Sequence, residues 1–385
     1  MRRKNKSKLH NFFVYMTIIF VIIIAVFLAA IIISPDKKYS AEENRMLETR
    51  PDATITSITS GRFMNDFENY TNDQLPLRNM WIRIKTTSDM LMGKTESNGV
   101  YRCRDGYLME TFQPPEKRNF DSTMTAMKKF SGRYKKLKKY FLLAPNAANI
   151  LSDKLPSNAP AADQNRFMDK VFSTTGAAGI KSIDVRDTLR SHRDRQLYYH
   201  SDHHWTTDGA WYSFLQASKT MGLKGSRDLY SRLLVANDFK GSLESKSGYY
   251  MCKNDDIYIY YPKKAAKRSV VNYVDEQKKI TSFYKTANLK KKDAYTVFFN
   301  GNPPCVKIDT PVKTTRRLLV FKDSYANCFV PFLSQYYRRI VMVDPRYYYS
   351  NINDLIDSEQ ITDVLFLYNA NTFSQDTSLS TMLSN

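Results

Sequence analysis

Residues 317–333 read RLLVFKDSYANCFVPFL. Residues 318–321 are apolar without a break, the pattern of a short buried strand. Lys322, Asp323 and Ser324 interrupt that run as a turn, and an apolar helix is predicted to follow. A serine on a strand-to-helix turn stands at the carboxyl end of a strand, where open α/β sheets place their sites. Amides at the start of the helix can stabilise an oxyanion. The competing reading is that Ser324 only caps the helix.

The same alternation extends on both sides. Downstream, RIVMVDPRYYY (339–349), NINDLIDSEQ (351–360) and TDVLFLYNANTF (362–373) continue it. Upstream, a helix is predicted over 118–133, KKYFLLAPNAAN (138–149) is a strand running into a loop, and QNRFMDKVFSTTGAAG (164–179) is a helix. A strand opens IKSIDVRDTLR (180–190). This order argues an α/β fold with a mainly parallel sheet flanked by helices. Residues 98–110 form a hairpin turning at Asp105-Gly106, and residues 207–222 a helix with Asp208 at its N-cap and Gly222 at its end. Residues 225–315 read differently: DDIYIYYP, RSVVNYV and AYTVFFNGNPP are strand-like, and the segment is expected to be an insertion or a β-rich elaboration.

The N-terminal sequence sets the compartment. Residues 12–33 carry no charge and are long enough to cross about 30 Å of hydrocarbon as a helix. Five Lys and Arg precede them, so the N-terminus is expected to stay cytoplasmic and the rest to lie outside. The expected organisation is a basic tail (1–11), a single-pass anchor (12–33), a linker (34–60) and an extracellular domain (61–385). Within 61–92, Phe63, Phe67, Tyr70, Met80, Trp81 and Ile84 recur at helical spacing. The 58 Lys and Arg against 38 Asp and Glu give a formal charge of +20. They are spread through KKLKKY, KKAAKR, LKKKD and KTTRR with no nucleic-acid-binding motif, which excludes that class and suits anionic lipids or wall polymers. Cys103, Cys252, Cys305 and Cys328 lack C-x-x-C spacing; Cys252 and Cys305 can pair outside a cell, or all four stay free.

A second stretch bears on chemistry. YYHSDHHWTTDGAW (198–211) holds His200, His203 and His204, and His192 lies just upstream, so four of the chain's five histidines fall together. A serine nucleophile needs a base, and the base an orienting carboxylate. Asp202 and His204, two apart, point the same way on an extended loop. Trp205 can wall the site against water. A metal site is the rival, with Asp202 and the imidazoles as ligands, but no H-E-x-x-H is present. Neither a metal nor another cofactor is expected.

Seven stretches together resemble the DHHW protein family: SAEENRMLETRP, NDQLPLRNMW, SNGVY, SDHHWTTDGAW, FKDSYANCFVPFL, VDPRYY and ITDVLFLYN. That family is similar to SGNH-type O-acetyltransferases and esterases of exopolysaccharide modification, including the alginate O-acetylation proteins. The resemblance implies an SGNH-hydrolase-like sheet with a circularly permuted motif order. It implies Ser324 as nucleophile, and Asp202 and His204 as the acid–base pair; His203 falls at a variable position. Asn369 matches an oxyanion residue, though the glycine of G-x-N-D is missing, and Lys322 replaces the glycine of G-D-S, which leaves it a substrate-binding role. Arg346 is a candidate for an acceptor's negative group, and Tyr325 and Trp205 complete the candidate substrate-binding set. The implied activity is O-acyl transfer, acetyl first, to a surface polysaccharide or wall polymer. The implied acyl donor is a polytopic membrane-bound O-acyltransferase. An esterase, a non-catalytic polysaccharide-binding scaffold and a metal-dependent hydrolase are the alternatives.

Overall fold

A computed structural model describes residues 2–40, 42–43, 45–160, 162–263 and 269–384. The chain divides into two units, Met1–Gly93 and Lys94–Asn385. Residues 61–93, expected above to begin the outer domain, thus group with the N-terminal segment. Of the basic run 263–268, all but Lys263 lies outside the described residues, as do Ala41 and Asn44 of the SAEENRMLETRP stretch.

The first unit begins with helix α1 (Arg2–Ile33). Within it, His10–Ile31 is 22 residues long and apolar enough to cross a membrane. A two-residue ladder, β1 (Tyr39–Ser40) with β2 (Arg45–Met46), follows. Helices α2 (Ile55–Thr59), α3 (Arg62–Asp73) and α4 (Arg78–Leu91) complete the unit. Arg45 and Arg78 both pair with Glu43 and Asp73, so one ion cluster joins the loop at 43–45 to α3 and α4.

The second unit opens with a small antiparallel sheet, β3 (Glu96–Ser97), β4 (Val100–Arg102) and β5 (Leu108–Glu110). Its turn is at Asp105-Gly106, both with positive φ, as the sequence predicts. Then come α5 (Lys117–Arg133), β6 (Lys138–Ala144), α6 (Ala147–Ile150), α7 (Gln164–Ala177), β7 (Lys181–Ile183), α8 (Arg186–Ser191) and α9 (Thr207–Met221). They are followed by β8 (Tyr230–Phe239), α10 (Ser242–Ser247), β9 (Asp255–Pro262), β10 (Val270–Tyr273), β11 (Lys278–Ile280) and β12 (Cys305–Asp309). The chain ends with β13 (Arg317–Lys322), α11 (Ala326–Leu333), β14 (Arg339–Val343), α12 (Ile352–Ser358), β15 (Asp363–Asn369), α13 (Ala370–Gln375) and α14 (Ser378–Ser384).

One sheet of eight strands, in the order β11-β10-β12-β14-β13-β15-β6-β7, organises the unit. The five strands from β14 to β7 are parallel; β12, β10 and β11 add to them antiparallel. The sheet is therefore mixed, and the 225–315 segment contributes to it as well as standing apart. Its strands β10–β12 extend the main sheet, and only β8 and β9 form a ribbon of their own. The reason is local: Val306 and Ile308 of β12 are buried among the residues of one sheet face. AYTVFFNGNPP is not a strand either. Ala294–Val297 is a 3₁₀ turn, and Phe299, Asn300 and Gly301 take positive φ, which no ladder accommodates.

Each face of β13 packs on a different layer. Leu318 and Val320 join the apolar residues of α9 and α11, and Leu319 and Phe321 those of α5, α7, α12 and α14. All four are fully buried, and each such side chain contributes roughly 1.5–3 kcal/mol. The sheet ends in two three-residue strands that carry lysines, Lys181 in β7 and Lys278 and Lys279 in β11. Helix α9 starts as expected, but its N-cap is Thr206, not Asp208. Thr206 is extended and its hydroxyl accepts from the Gly209 amide, while Asp208 pairs with Arg232. Gly222 ends the helix with positive φ.

Candidate active site

The carboxyl ends of β6, β13 and β15 lie side by side, and the turns after them supply Asn146, Ser324 and Asn369. Asp323, fully buried, ties two of these turns together. Its carboxylate accepts from the Tyr325 amide at 2.9 Å and the Asn369 amide at 2.7 Å. Burial pushes this carboxyl up, and those amides oppose the push. Ser324 does not cap α11; the helix has no side-chain cap. Its hydroxyl points instead to His204 Nε2, 2.7 Å away. Among the described residues the Ser324 amide has no hydrogen-bond partner.

The loop between α8 and α9 brings His204 there. Tyr198 and Trp205 bridge its two limbs. Between them the chain bends rather than extends. Asp202 Oδ1 accepts from the His204 amide at 2.9 Å, an Asx turn, and the same oxygen meets His204 Nδ1 at 2.5 Å. The pair is adjacent, as the spacing suggested, but through this turn and not through strand alternation. Asp202, His204 and Ser324 form one hydrogen-bonded chain in a site where His204 and Asp202 are buried.

Residues distant in sequence hold that chain in place. Asp202 Oδ2 accepts from the Ser242 amide at 2.8 Å. Gly241 lies so close that a Cβ there would overlap the Asp202 carboxylate. Buried Asp255, on β9, accepts from the His200 and Ser201 amides and the Ser201 hydroxyl, and it also bonds His200 Nδ1. The face of Tyr295 stacks on His204 at 3.7 Å with 12° between the rings, and its hydroxyl donates to the Ser324 carbonyl at 3.1 Å. None of Gly241, Ser242, Asp255 and Tyr295 was singled out from the sequence. Substituting Gly241→Ala should displace Asp202 and lower the acylation rate by about 10²-fold or more, the effect of misplacing a reacting group by about 1 Å. Acylation kinetics beside an unchanged circular-dichroism spectrum would check it.

Charge states follow from the burial. Burial would raise the Asp202 carboxyl, but His204, His203 and the Ser242 amide outweigh it and hold the group well below the carboxylate range. Burial pushes the His204 imidazole down to about 4, helped by His203 and opposed by Asp202. His204 is therefore neutral at pH 7, with Nδ1–H donated to Asp202 and Nε2 free to accept a proton from Ser324. Such a chain can activate a hydroxyl as a nucleophile.

The remaining candidates fall into three groups. Trp205 is fully buried, packs on Tyr325 and Phe329, and donates its indole N–H to the Tyr325 carbonyl, so it braces the serine turn from below. The Tyr325 hydroxyl donates to the His203 carbonyl. Lys322 and Arg346 meet on Asp344. The Lys322 ammonium is fully buried 3.5 Å from the Asp344 carboxylate and donates to Asn302 and Asn327, and Arg346 grips the same carboxylate through Nε and Nη2. Burial pushes Lys322 down to about 8 against the pull of Asp344. Asn369 Oδ1 accepts from the Asn371 amide and its Nδ2 donates to the Ala144 carbonyl at 3.3 Å; the residue lines a cleft of about 320 Å³ with Asn146, Asn371, Lys246, His203 and Asp202.

The four clustered histidines do separate jobs. His192 stacks on Tyr212, His200 packs on Tyr107 and bonds Asp255, and His203 sits at the rim with Nδ1 2.7 Å from the Ser242 hydroxyl. Asp202, His203 and His204 offer ligand atoms within 4.8 Å of one another. In this arrangement, however, His204 directs Nδ1 to Asp202 and Nε2 to Ser324, which leaves it no nitrogen for an ion. The four cysteines are free.

An α/β unit with a mixed sheet, in which a hydroxyl after one strand meets an imidazole and a carboxylate from the α8–α9 loop in hydrogen-bonded series, defines the class. A model of the DHHW protein family matches residues 123–343, more than half of the chain, and the chain belongs to that family. Among solved structures, a DHHW family protein from Eubacterium siraeum shares 21% identity and a TM-score of 0.62, covering 74% of this chain and 95% of that one. Bacillus cereus PatB1 shares 23% identity and a TM-score of 0.60, over 71% and 97% of the two chains. It has also been solved with a sulfonyl adduct. At these identities the likeness is one of fold. The chain is also 22% identical over 164 residues to a probable alginate O-acetylase, AlgJ, of Pseudomonas aeruginosa, a match covering 41% of this chain and 42% of that relative's length.

Proposed function

We propose that the chain is a membrane-anchored, SGNH-type O-acyltransferase that moves an acyl group, acetyl first, onto a hydroxyl of a surface polysaccharide or wall polymer. The observation that carries the reading is the Asp202–His204–Ser324 hydrogen-bonded chain. The similarity to a probable alginate O-acetylase supports acyl transfer to a polysaccharide, and helix α1 suits a single-pass anchor with the second unit outside. In the first half-reaction, Ser324 Oγ attacks the donor's acyl carbonyl while His204 Nε2 takes its proton. The Ser324 amide, and Asn369 at the cleft wall, stabilise the oxyanion. The tetrahedral intermediate collapses, and the leaving group departs with the proton from His204. In the second, His204 takes the proton of a sugar hydroxyl, that oxygen attacks the acyl-serine, and Ser324 recovers its hydrogen. Polymer binds in the cleft lined by Asn146, Asn369 and Asn371, whose amides match hydroxyl groups. The acyl donor is a polytopic membrane-bound O-acyltransferase.

The test is intact-mass spectrometry of the full chain in detergent after incubation with p-nitrophenyl acetate, and separately with an aryl sulfonyl fluoride. The expected result is a single acetyl or sulfonyl group on Ser324, absent from Ser324→Ala. Added oligosaccharide that becomes acetylated identifies a transferase; loss of the acetyl group to water alone identifies an esterase. No adduct with either reagent sinks the nucleophile assignment. The acylation rate should be flat from neutral pH down to about pH 5 and fall as His204 protonates near pH 4. An unperturbed histidine would instead lose the rate near pH 6.5. Stopped-flow nitrophenol release across that range distinguishes the two.

A further inference from the structure

Helix α4 is built inside out. Leu77, just before it, and Met80, Trp81, Ile84 and Leu91 within it fall at spacings of three, four, seven and fourteen residues, which set them on one face. All five are exposed, Leu91 by 85% and Leu77 by 67%. On the opposite face the buried residues are polar, Thr86 and Asp89. An apolar stripe turned outward on a helix lacks a partner in water. Cations flank it: Arg83, paired with Glu42, and Lys85, paired with Asp89, still have side chains 56% and 68% exposed.

The position of the stripe says what covers it. The Trp81 ring lies 5.9 Å from that of Phe27. Phe27 stands one helical turn inside the outer end of the candidate span His10–Ile31, a depth of about 6 Å along α1. An interfacial helix buries its apolar face about 5–10 Å into the boundary between headgroups and acyl chains. Tryptophan favours that level, and flanking Arg and Lys reach anionic headgroups.

We propose that α4 lies in the outer leaflet of the membrane, its Leu77–Met80–Trp81–Ile84 stripe on the acyl chains and Arg83 and Lys85 among anionic headgroups. The proposal rests on the reading of α1 as a membrane span. It makes the first unit a two-helix mount, one helix across the bilayer and one along its surface.

Trp81 is itself the probe. Of the chain's three tryptophans it alone is exposed, since Trp205 and Trp211 are buried. The full chain is reconstituted into phosphatidylcholine–phosphatidylglycerol vesicles, plain or with bromines on the acyl chains near either the carbonyl or the methyl end. Shallow bromines are expected to remove about a third of the emission if the three tryptophans emit equally, deep bromines less, and Trp81→Phe should abolish the effect. Equal emission in plain and brominated vesicles, with the protein still floating with the lipid, overturns the proposal while leaving the anchor intact. Such a result with copies cross-linking through position 84 assigns the stripe to a second copy of the chain. Protein that does not float with lipid overturns the anchor and the proposal together. Quenching that persists in Trp81→Phe also overturns it, because the quenched ring is then one of the buried two.

Discussion

Ser324→Ala is expected to lower the rate of enzyme acylation by at least about 10³-fold, and His204→Ala by a similar factor. The double variant should be no slower than either single one. The two groups act as a unit: without the serine there is no proton for His204 Nε2 to take across the 2.7 Å contact, and without the imidazole the hydroxyl is a weak nucleophile. Asp202→Asn tests the third member differently. It preserves size but presents an amide to His204 Nδ1, which favours the tautomer with its proton on Nε2 and the wrong partner for Ser324. Its loss should be on the order of 10³-fold with the fold intact, read from single-turnover nitrophenol release. If the wild type and all four variants release nitrophenol at one rate, the scaffold reading replaces the enzyme.

Asp344→Ala is expected to be the most destabilising single change at the floor of the site, by about 3–5 kcal/mol. Asp344 is fully buried between the Lys322 ammonium and the Arg346 guanidinium, and removing it takes away the one carboxylate that both cations contact directly. Lys322→Met should cost less. It removes the buried charge with its desolvation penalty, and Asp344 keeps its two-point grip from Arg346. Urea unfolding of the full chain in detergent, followed by the fluorescence of Trp205 and Trp211, would rank the two. An Asp344→Ala protein as stable as Lys322→Met would mean that the cluster is hydrated and weakly coupled. The ranking also separates a structural role for Lys322 from the substrate-binding role its position suggested, because only the latter alters acceptor saturation without altering stability.

The parts of this site legible in the sequence are those made by neighbours in the chain. The apolar run at 318–321, the polar break at 322–324 and the apolar helix after it describe one strand-turn-helix, and the turn lies where a sheet exposes its strand ends. The adjacency of Asp202 and His204 was legible from their spacing, although an Asx turn achieves it. What sequence reasoning missed arrives from far along the chain. Ser242 and Gly241 reach Asp202 across about 40 residues, Asp255 reaches Ser201 across 54, and Tyr295 comes to Ser324 across 29. Nothing local distinguishes these residues, because their roles exist only once the ribbon β8–β9 and the turn at 294–301 have packed. The strand expected in RSVVNYV is present as β10, but its place in the main sheet was not legible, for a related reason. Short runs such as VVNY and CVKID fit an isolated ribbon and a strand of a large sheet equally well, and only burial against α9 and α11 decides between them.

The lysine-bearing edges of the eight-stranded sheet have a consequence for crowding. A β-edge of any length presents unpaired amides and carbonyls that a neighbouring molecule can zip onto, and sheets meet this hazard with short, charged borders. Here both borders are three residues long, with Lys181 on one side and Lys278 and Lys279 on the other. Two copies approaching edge to edge would bring like charges together and gain at most a few hydrogen bonds. Under the proposed anchoring, copies held at one surface would meet far more often than the same number in solution, and these borders keep the main sheet from templating its own growth there.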